Sequence, residues 1–228
     1  MKTIKFEGTE YNIPTKWEDV SFIQFIRLQE PLITDHEIVS AVTGLPVADV
    51  AKSNDVKSYL EIIKSISRFS DKEPVENVPE MVTINGMICE VPKDIGFLTV
   101  AQFEDCKAII AQYQAKYKDN EDKIALLLDY PKIVAIYLQP LLYNTDYNYN
   151  QAMELSNELY HHSCIEVISI GNFFLSNWIG LANGIQTTVL MKILAKMKAT
   201  SPLYIGRLAL RRLFTACSRL IIPSKMTF

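Results

Sequence analysis

The 228-residue chain is 49% hydrophobic and 21% charged, which supplies material for a sizeable core and excludes a broadly disordered polymer. Its four cysteines, Cys89, Cys106, Cys164 and Cys217, are scattered and form no CxxC pair; this excludes a dense disulfide framework and fits reduced thiols in a cytosol. The formal net charge of −3 hides an asymmetry: residues 1–166 hold 15 Lys and Arg against 26 Asp and Glu, whereas 167–228 hold 8 Lys and Arg and no acid.

The chain begins MKTIKFEGTEY, without the apolar run of a signal peptide, and this stretch reads as a strand. Ile4, Phe6, Tyr11 and Ile13 alternate on either side of Glu7-Gly8, as the half-buried strands of a hairpin do, and Pro14 ends the second strand. Ser21 and Gln24 then form a capping box, with Val20 and Phe25 at the positions of a hydrophobic staple. Thr34 and Glu37 make another capping box, and the helix it opens should stop at Gly44. A short helix near Val47–Ala51 comes next, then a longer one from Val56 to Phe69 with Tyr59, Ile62, Ile63 and Ile66 on one face. Residues 71–80, DKEPVENVPE, read as a linker, because they are charged, carry prolines and lack any apolar period.

The same grammar then returns at a fixed offset of 78 residues. Gly8 aligns with Gly86, Pro14 with Pro92, Ser21 with Thr99, and Gln24-Phe25 with Gln102-Phe103. Asn85-Gly86 is a strong hairpin-turn signal, since both residues tolerate positive φ. Two sets of turn, strand-ending proline, cap and staple in one register argue for an internal duplication. Helices are expected near 99–117 and 122–139, with Pro131 breaking or kinking the latter. Ile133-Val134-Ala135-Ile136 loosely echoes Ile38-Val39-Ser40-Ala41. Residues 140–149 are rich in Tyr and Asn and suit either a recognition loop or a plain surface loop. Further helices are expected near 151–161, 164–182, 185–198 and 203–221, the second opened by a capping box of Ser163 and Glu166. The most apolar stretch, Phe173 to Met191, is interrupted by Ser176, Asn177, Asn183, Gln186, Thr187 and Thr188, and burying these in lipid is costly, so no membrane span is expected.

Chemistry is sparse. His161, His162 and Cys164, with Glu158 one turn before His162, contain zinc-ligand residue types, but a tetrahedral site wants four ligands and no companion cluster lies nearby. A histidine pair at a helix end, favourable to the helix C-terminus, is the reading this spacing favours. No nucleophile elbow, Walker loop, dinucleotide fingerprint or HExxH occurs. Glu18-Asp19 and Glu104-Asp105 lie at helix starts, where the dipole favours negative charge. The expectation is therefore no catalytic residue, no cofactor and no metal. The best functional handle is basic: Lys192 and Lys196, then Arg207 and Arg211 beside Arg212, can form stripes along amphipathic helices. Such stripes suit a polyanion, a membrane surface, a protein partner or the acidic half of a second copy; a solvated helix with its apolar face in the core explains them as well.

The strand–Gly–strand–Pro run, the Ser/Thr-x-x-Gln-Phe caps, the Ile38-to-Leu45 segment and the Glu166-to-Leu175 segment together resemble a group of small proteins encoded by tailed bacteriophages of Bacteroidetes hosts. The resemblance covers much of residues 1–180 and brings no catalytic residues. It implies a part in virion structure or assembly, such as that of a tail-assembly chaperone, located in the virion or the host cytoplasm, with other phage structural proteins or a further copy as partners. A nucleic-acid-associated virion protein using the basic helices is the alternative. The expected fold is α+β and mostly helical: a first hairpin–helix unit at 1–70, a linker at 71–80, a second unit at 81–184 and a basic amphipathic tail at 185–228.

Overall fold

The computed structural model describes residues 1–30, 32–70, 77–116 and 126–178. Met1–Leu175 form one compact unit and Ser176–Phe228 a second, and nearly all of the described residues belong to the first. The fold is α+β and mostly helical, with two small antiparallel two-stranded sheets among the described residues. In chain order, β1 (Lys2–Phe6) and β2 (Thr9–Ile13) form a hairpin, a 3₁₀ turn spans Trp17–Asp19, and α1 (Phe22–Leu28), α2 (Asp35–Thr43), α3 (Val47–Lys52) and α4 (Val56–Ser70) succeed it. Then come β3 (Met81–Ile84), β4 (Met87–Glu90), α5 (Val100–Lys116), α6 (Tyr130–Tyr143) and α7 (Tyr149–Leu159). A further helix, α8, covers the described residues 164–178.

The repeat seen in the sequence is a repeat in geometry. Both hairpins close through two residues at positive φ, Glu7 at 49° and Gly8 at 80°, then Asn85 at 51° and Gly86 at 78°, the turn whose twist matches paired strands. Ile4 pairs with Tyr11 and Val82 with Cys89, so the strand register is the same in both. Ile4, Phe6 and Ile13 are buried on the first hairpin, and Val82, Ile84 and Val91 on the second. Val20 N–H donates to Trp17 O at 3.0 Å, and Leu98 N–H to Ile95 O at 3.2 Å. Both expected capping boxes form: Ser21 N–H reaches Gln24 Oε1 at 3.0 Å, and Thr99 N–H reaches Gln102 Oε1 at 3.1 Å.

The repeat also extends into contacts between distant segments. The carbonyl of Pro14 accepts from Ser65 Oγ at 3.0 Å, and that of Pro92 accepts from Tyr137 Oη at 2.8 Å. Gln24 Nε2 donates to Val42 O at 3.4 Å, and Gln102 Nε2 to Ile136 O at 2.7 Å. Ile136 O lies four residues before Pro140 in the same helix, and proline has no N–H with which to occupy it, whereas Val42 O is a terminal carbonyl of α2, which stops at Gly44. The glutamine of each capping box thus satisfies an acceptor that a helix would otherwise leave open. This sets Val39-Ser40-Ala41-Val42 against Ile133-Val134-Ala135-Ile136, one residue off the match expected from sequence.

The α2 helix has the predicted Thr34 cap and stops at Gly44 in the left-handed region. The Val56–Ser70 helix buries Ile62 and Ile66, while the half-buried Tyr59 stacks on His36 with ring centroids 5.5 Å apart. Helical geometry is interrupted just ahead of Pro131, as expected: residues 126–127 are helical, 128–129 form a turn, and α6 begins at Tyr130, placing Pro131 in its first turn, where its missing N–H costs nothing. Pro140 instead sits inside that helix. Glu166 turns back to pair with His162 rather than closing a capping box with Ser163.

The second repeat packs α6 as its buried centre: Ile133, Val134, Ala135, Ile136, Tyr137 and Leu138 are all fully enclosed. Tyr137 contacts Phe97 at 5.6 Å and Phe174 edge-on at 5.4 Å between ring centroids. Gly171 lets α8 close on α6, because a Cβ there would lie 2.4 Å from the Tyr130 ring. Tyr130 Oη then donates to Asn172 Oδ1 at 2.7 Å. The Gly-Asn pair of the 166–175 segment is thereby a seat for one tyrosine.

Candidate docking surface

The residues that looked like ligands or acids are engaged in structure. The Cys164 thiol donates to Trp17 O at 3.3 Å, and burial pushes its pKa up to about 12, which makes it a poor metal ligand or nucleophile. His162 faces Glu166. Among the described residues no three His, Cys, Asp or Glu side chains converge as a metal site would require. Asp19 holds the N-terminal ammonium at 2.7 Å and accepts from the Thr15 hydroxyl and amide. Glu104 pairs with Lys107, and Asp105 accepts from Tyr147 Oη at 2.7 Å. That last bond ties down the Tyr/Asn loop, whose Asn148 caps α7. Lys192, Lys196, Arg207, Arg211 and Arg212 lie outside the described residues, as do the helices expected at 185–198 and 203–221. No helix among the described residues is long and apolar enough to cross a membrane.

The segment 160–164, where the expected histidine pair follows the end of α7, closes the start of α1. Ser21 and Ser163 form an isolated antiparallel bridge. Phe22 N–H donates to His162 O and Ile23 N–H to Tyr160 O, both at 2.8 Å, while Cys164 N–H donates to Val20 O at 2.9 Å. The Tyr160 ring packs 6.0 Å from that of Phe22, which is fully buried. The first helical N–H groups lack partners within their own helix; here the turn that ends α7 supplies them through the carbonyls of Tyr160 and His162.

The second repeat carries no such cover. Val100 stands where Phe22 stands in the first repeat, and it is 80% exposed. Three more matched positions change in the same sense. On the outer faces of the hairpins, Thr3 becomes Met81, 52% exposed, and Glu10 becomes Ile88, 67% exposed. Asp19 becomes Phe97, which is partly exposed. Polar or covered positions of the first repeat are therefore apolar and open in the second. The alignment at offset 78 contained these exchanges, but only the coordinates show which of the residues face solvent. No protein-family model, curated protein or solved structure matches the chain.

Proposed function

We propose that this chain is a non-enzymatic assembly or structural protein of a tailed-bacteriophage particle, acting through protein–protein contacts in the manner of a tail-assembly chaperone. The phage assignment comes from the sequence resemblance. The contact role is carried by one observation: Met81, Ile88, Phe97 and Val100 expose apolar surface at the positions where the sister repeat is polar or covered. Single exposed apolar residues are ordinary, but a concerted exchange on one of two related units favours a surface that meets a partner. Asp19, Asp105, Cys164 and Glu166 serve as anchors and clamps, which fits a protein that binds rather than transforms.

The test is co-expression with the structural proteins of the particle. Met81→Glu and Ile88→Glu, both on an exposed hairpin face, should abolish co-purification with them, whereas Thr3→Glu should not. Unchanged co-purification of the Met81 and Ile88 variants would refute the contact role. Deleting residues 199–228 should also abolish association if the basic region contributes. Mass spectrometry of purified particles then separates a retained structural component, present in stoichiometric copies, from a transient chaperone.

A second reading rests on the eight Lys and Arg and absent acids of 167–228: association with packaged nucleic acid. Binding to duplex DNA that falls steeply with added salt would support it. Absence of binding at low salt would remove it.

A further inference from the structure

We propose that the outer faces of α4 and α7 are the two halves of a head-to-tail contact between copies of this chain, the basic face of one copy meeting the acidic face of the next. This goes beyond the contact role of the second hairpin, because it uses a different surface and names a second copy as the occupant.

The α4 helix turns Ile62 and Ile66 into the core, which directs Lys57, Lys64 and Arg68 to solvent; all three are exposed. At 3.6 residues per turn they fall within about 40° of one another around the helix axis, so they form one stripe. Glu61, the only acid on that helix, is drawn to Lys2. Among the described residues no carboxylate pairs with Lys57, Lys64 or Arg68. Val56 and Leu60 stand beside the stripe, 61% and 57% exposed. The α7 helix has the opposite sign. It buries Ala152, Leu155, Ser156 and Leu159, which leaves Glu154 and Glu158 exposed on its outer face. No Lys or Arg occurs on α7, and neither glutamate is ion-paired among the described residues. Tyr149 at its start is 50% exposed.

The two faces match in sign and in spacing. Lys64 and Arg68 are four residues apart, as are Glu154 and Glu158, so each pair is separated by about 6 Å along its helix. Two such helices laid side by side bring both cations onto both carboxylates in a single register. Both faces are exposed within one compact unit, Met1–Leu175, so each meets its complement on another copy and not in its own chain. Exposed ion pairs hold little by themselves. They select the partner and the register, while Val56, Leu60 and Tyr149 supply the apolar contact. Because the two halves are different surfaces, the contact is heterologous and repeats from copy to copy, giving a ring or a filament. A contact of one helix on another is small and therefore weak between two free copies; it gains where many copies are held together in an assembly.

Sedimentation velocity of the full-length chain tests this. Its average mass should rise with protein concentration at about 0.05 M salt and return to that of the monomer at about 0.5 M, where screening acts over a few ångströms. Lys64→Glu with Arg68→Glu, and separately Glu154→Lys with Glu158→Lys, should each weaken self-association about tenfold, with the fold unchanged by circular dichroism. The chain carrying all four changes has the parent's net charge and should associate as the parent does, because its faces are exchanged and not removed. Absence of self-association at low salt, or failure of the fourfold variant to regain it, overturns the proposal. So does a loss of duplex DNA binding in the Lys64→Glu, Arg68→Glu chain with self-association unchanged, which would assign the α4 face to nucleic acid. Met81→Glu and Ile88→Glu should leave self-association intact; its loss there would mean that the second hairpin joins the copies, and the proposal falls. If the chain stays monomeric while Ile88→Glu still abolishes association with particle proteins, the α4–α7 contact falls and the broader contact role stands.

Discussion

Gln102 is 1% exposed and answers to two groups at once: the amide of its cap residue Thr99, and the carbonyl that Pro140 leaves open. Replacing it by leucine should strand a buried acceptor and cost about 1–3 kcal/mol in urea unfolding. Pro140→Ala supplies an N–H for Ile136 O, so the same leucine substitution should cost about 1 kcal/mol less in that background. Strict additivity of the two changes would mean that the glutamine does not serve the proline's orphan. Gly171 offers a second test at this scale. An alanine there must displace the enclosed Tyr130 ring, and overpacking of that kind should destabilise the chain by about 1–3 kcal/mol in urea unfolding; an unchanged midpoint would contradict the close approach of α8 to α6. Neither dependence was visible in the sequence, since Gln102 matched a capping pattern whichever way its amide pointed. Pro131 and Pro140 could likewise not be ranked until the helix start was known.

At the scale of elements, the legible features were those with local causes. The turn pairs Glu7-Gly8 and Asn85-Gly86, the capping boxes at Ser21, Thr34 and Thr99 and the Gly44 stop each depend on neighbours within a few residues, and each formed as expected. The expected box at Ser163 and Glu166 failed for a non-local reason: Ser163 is drawn into a bridge with Ser21, and Glu166 is taken by His162. The acidic pair Glu18-Asp19 lies in the first turn of the 3₁₀ segment, as dipole compensation expects, and Asp19 in addition holds the N-terminal ammonium. Burial raises the Asp19 pKa, but hydrogen bonds from the N-terminal ammonium and Thr15 outweigh it and leave the carboxyl below its ordinary range. A depressed carboxylate contributes stability above its unfolded pKa and loses it as pH falls through the folded value. Asp19→Asn should therefore lower the urea midpoint at pH 7 and converge with the parent chain as pH falls below the ordinary carboxylate range. A gap that persists at low pH would show that the anchor is not ionic.

For the molecule as a whole, the repeat was readable because its matched residues are turn formers, breakers and caps, which keep their meaning out of context. What the sequence withheld was the difference between the repeats. Segment 160–164 reads in sequence as a histidine pair at a helix end; its role in covering the start of α1 depends on meeting Ser21 across more than a hundred residues. The open counterpart at α5 then emerges as an asymmetry within a near-symmetric pair. The phage setting remains a reading of resemblance, while the covered and uncovered helix starts are features of the fold on which the proposed contact role is built. Amide hydrogen exchange in the isolated chain tests that asymmetry most directly. Phe22 and Ile23 should exchange at least a hundredfold more slowly than Val100 and Ala101 relative to unstructured references. Comparable protection at the two helix starts would contradict the account.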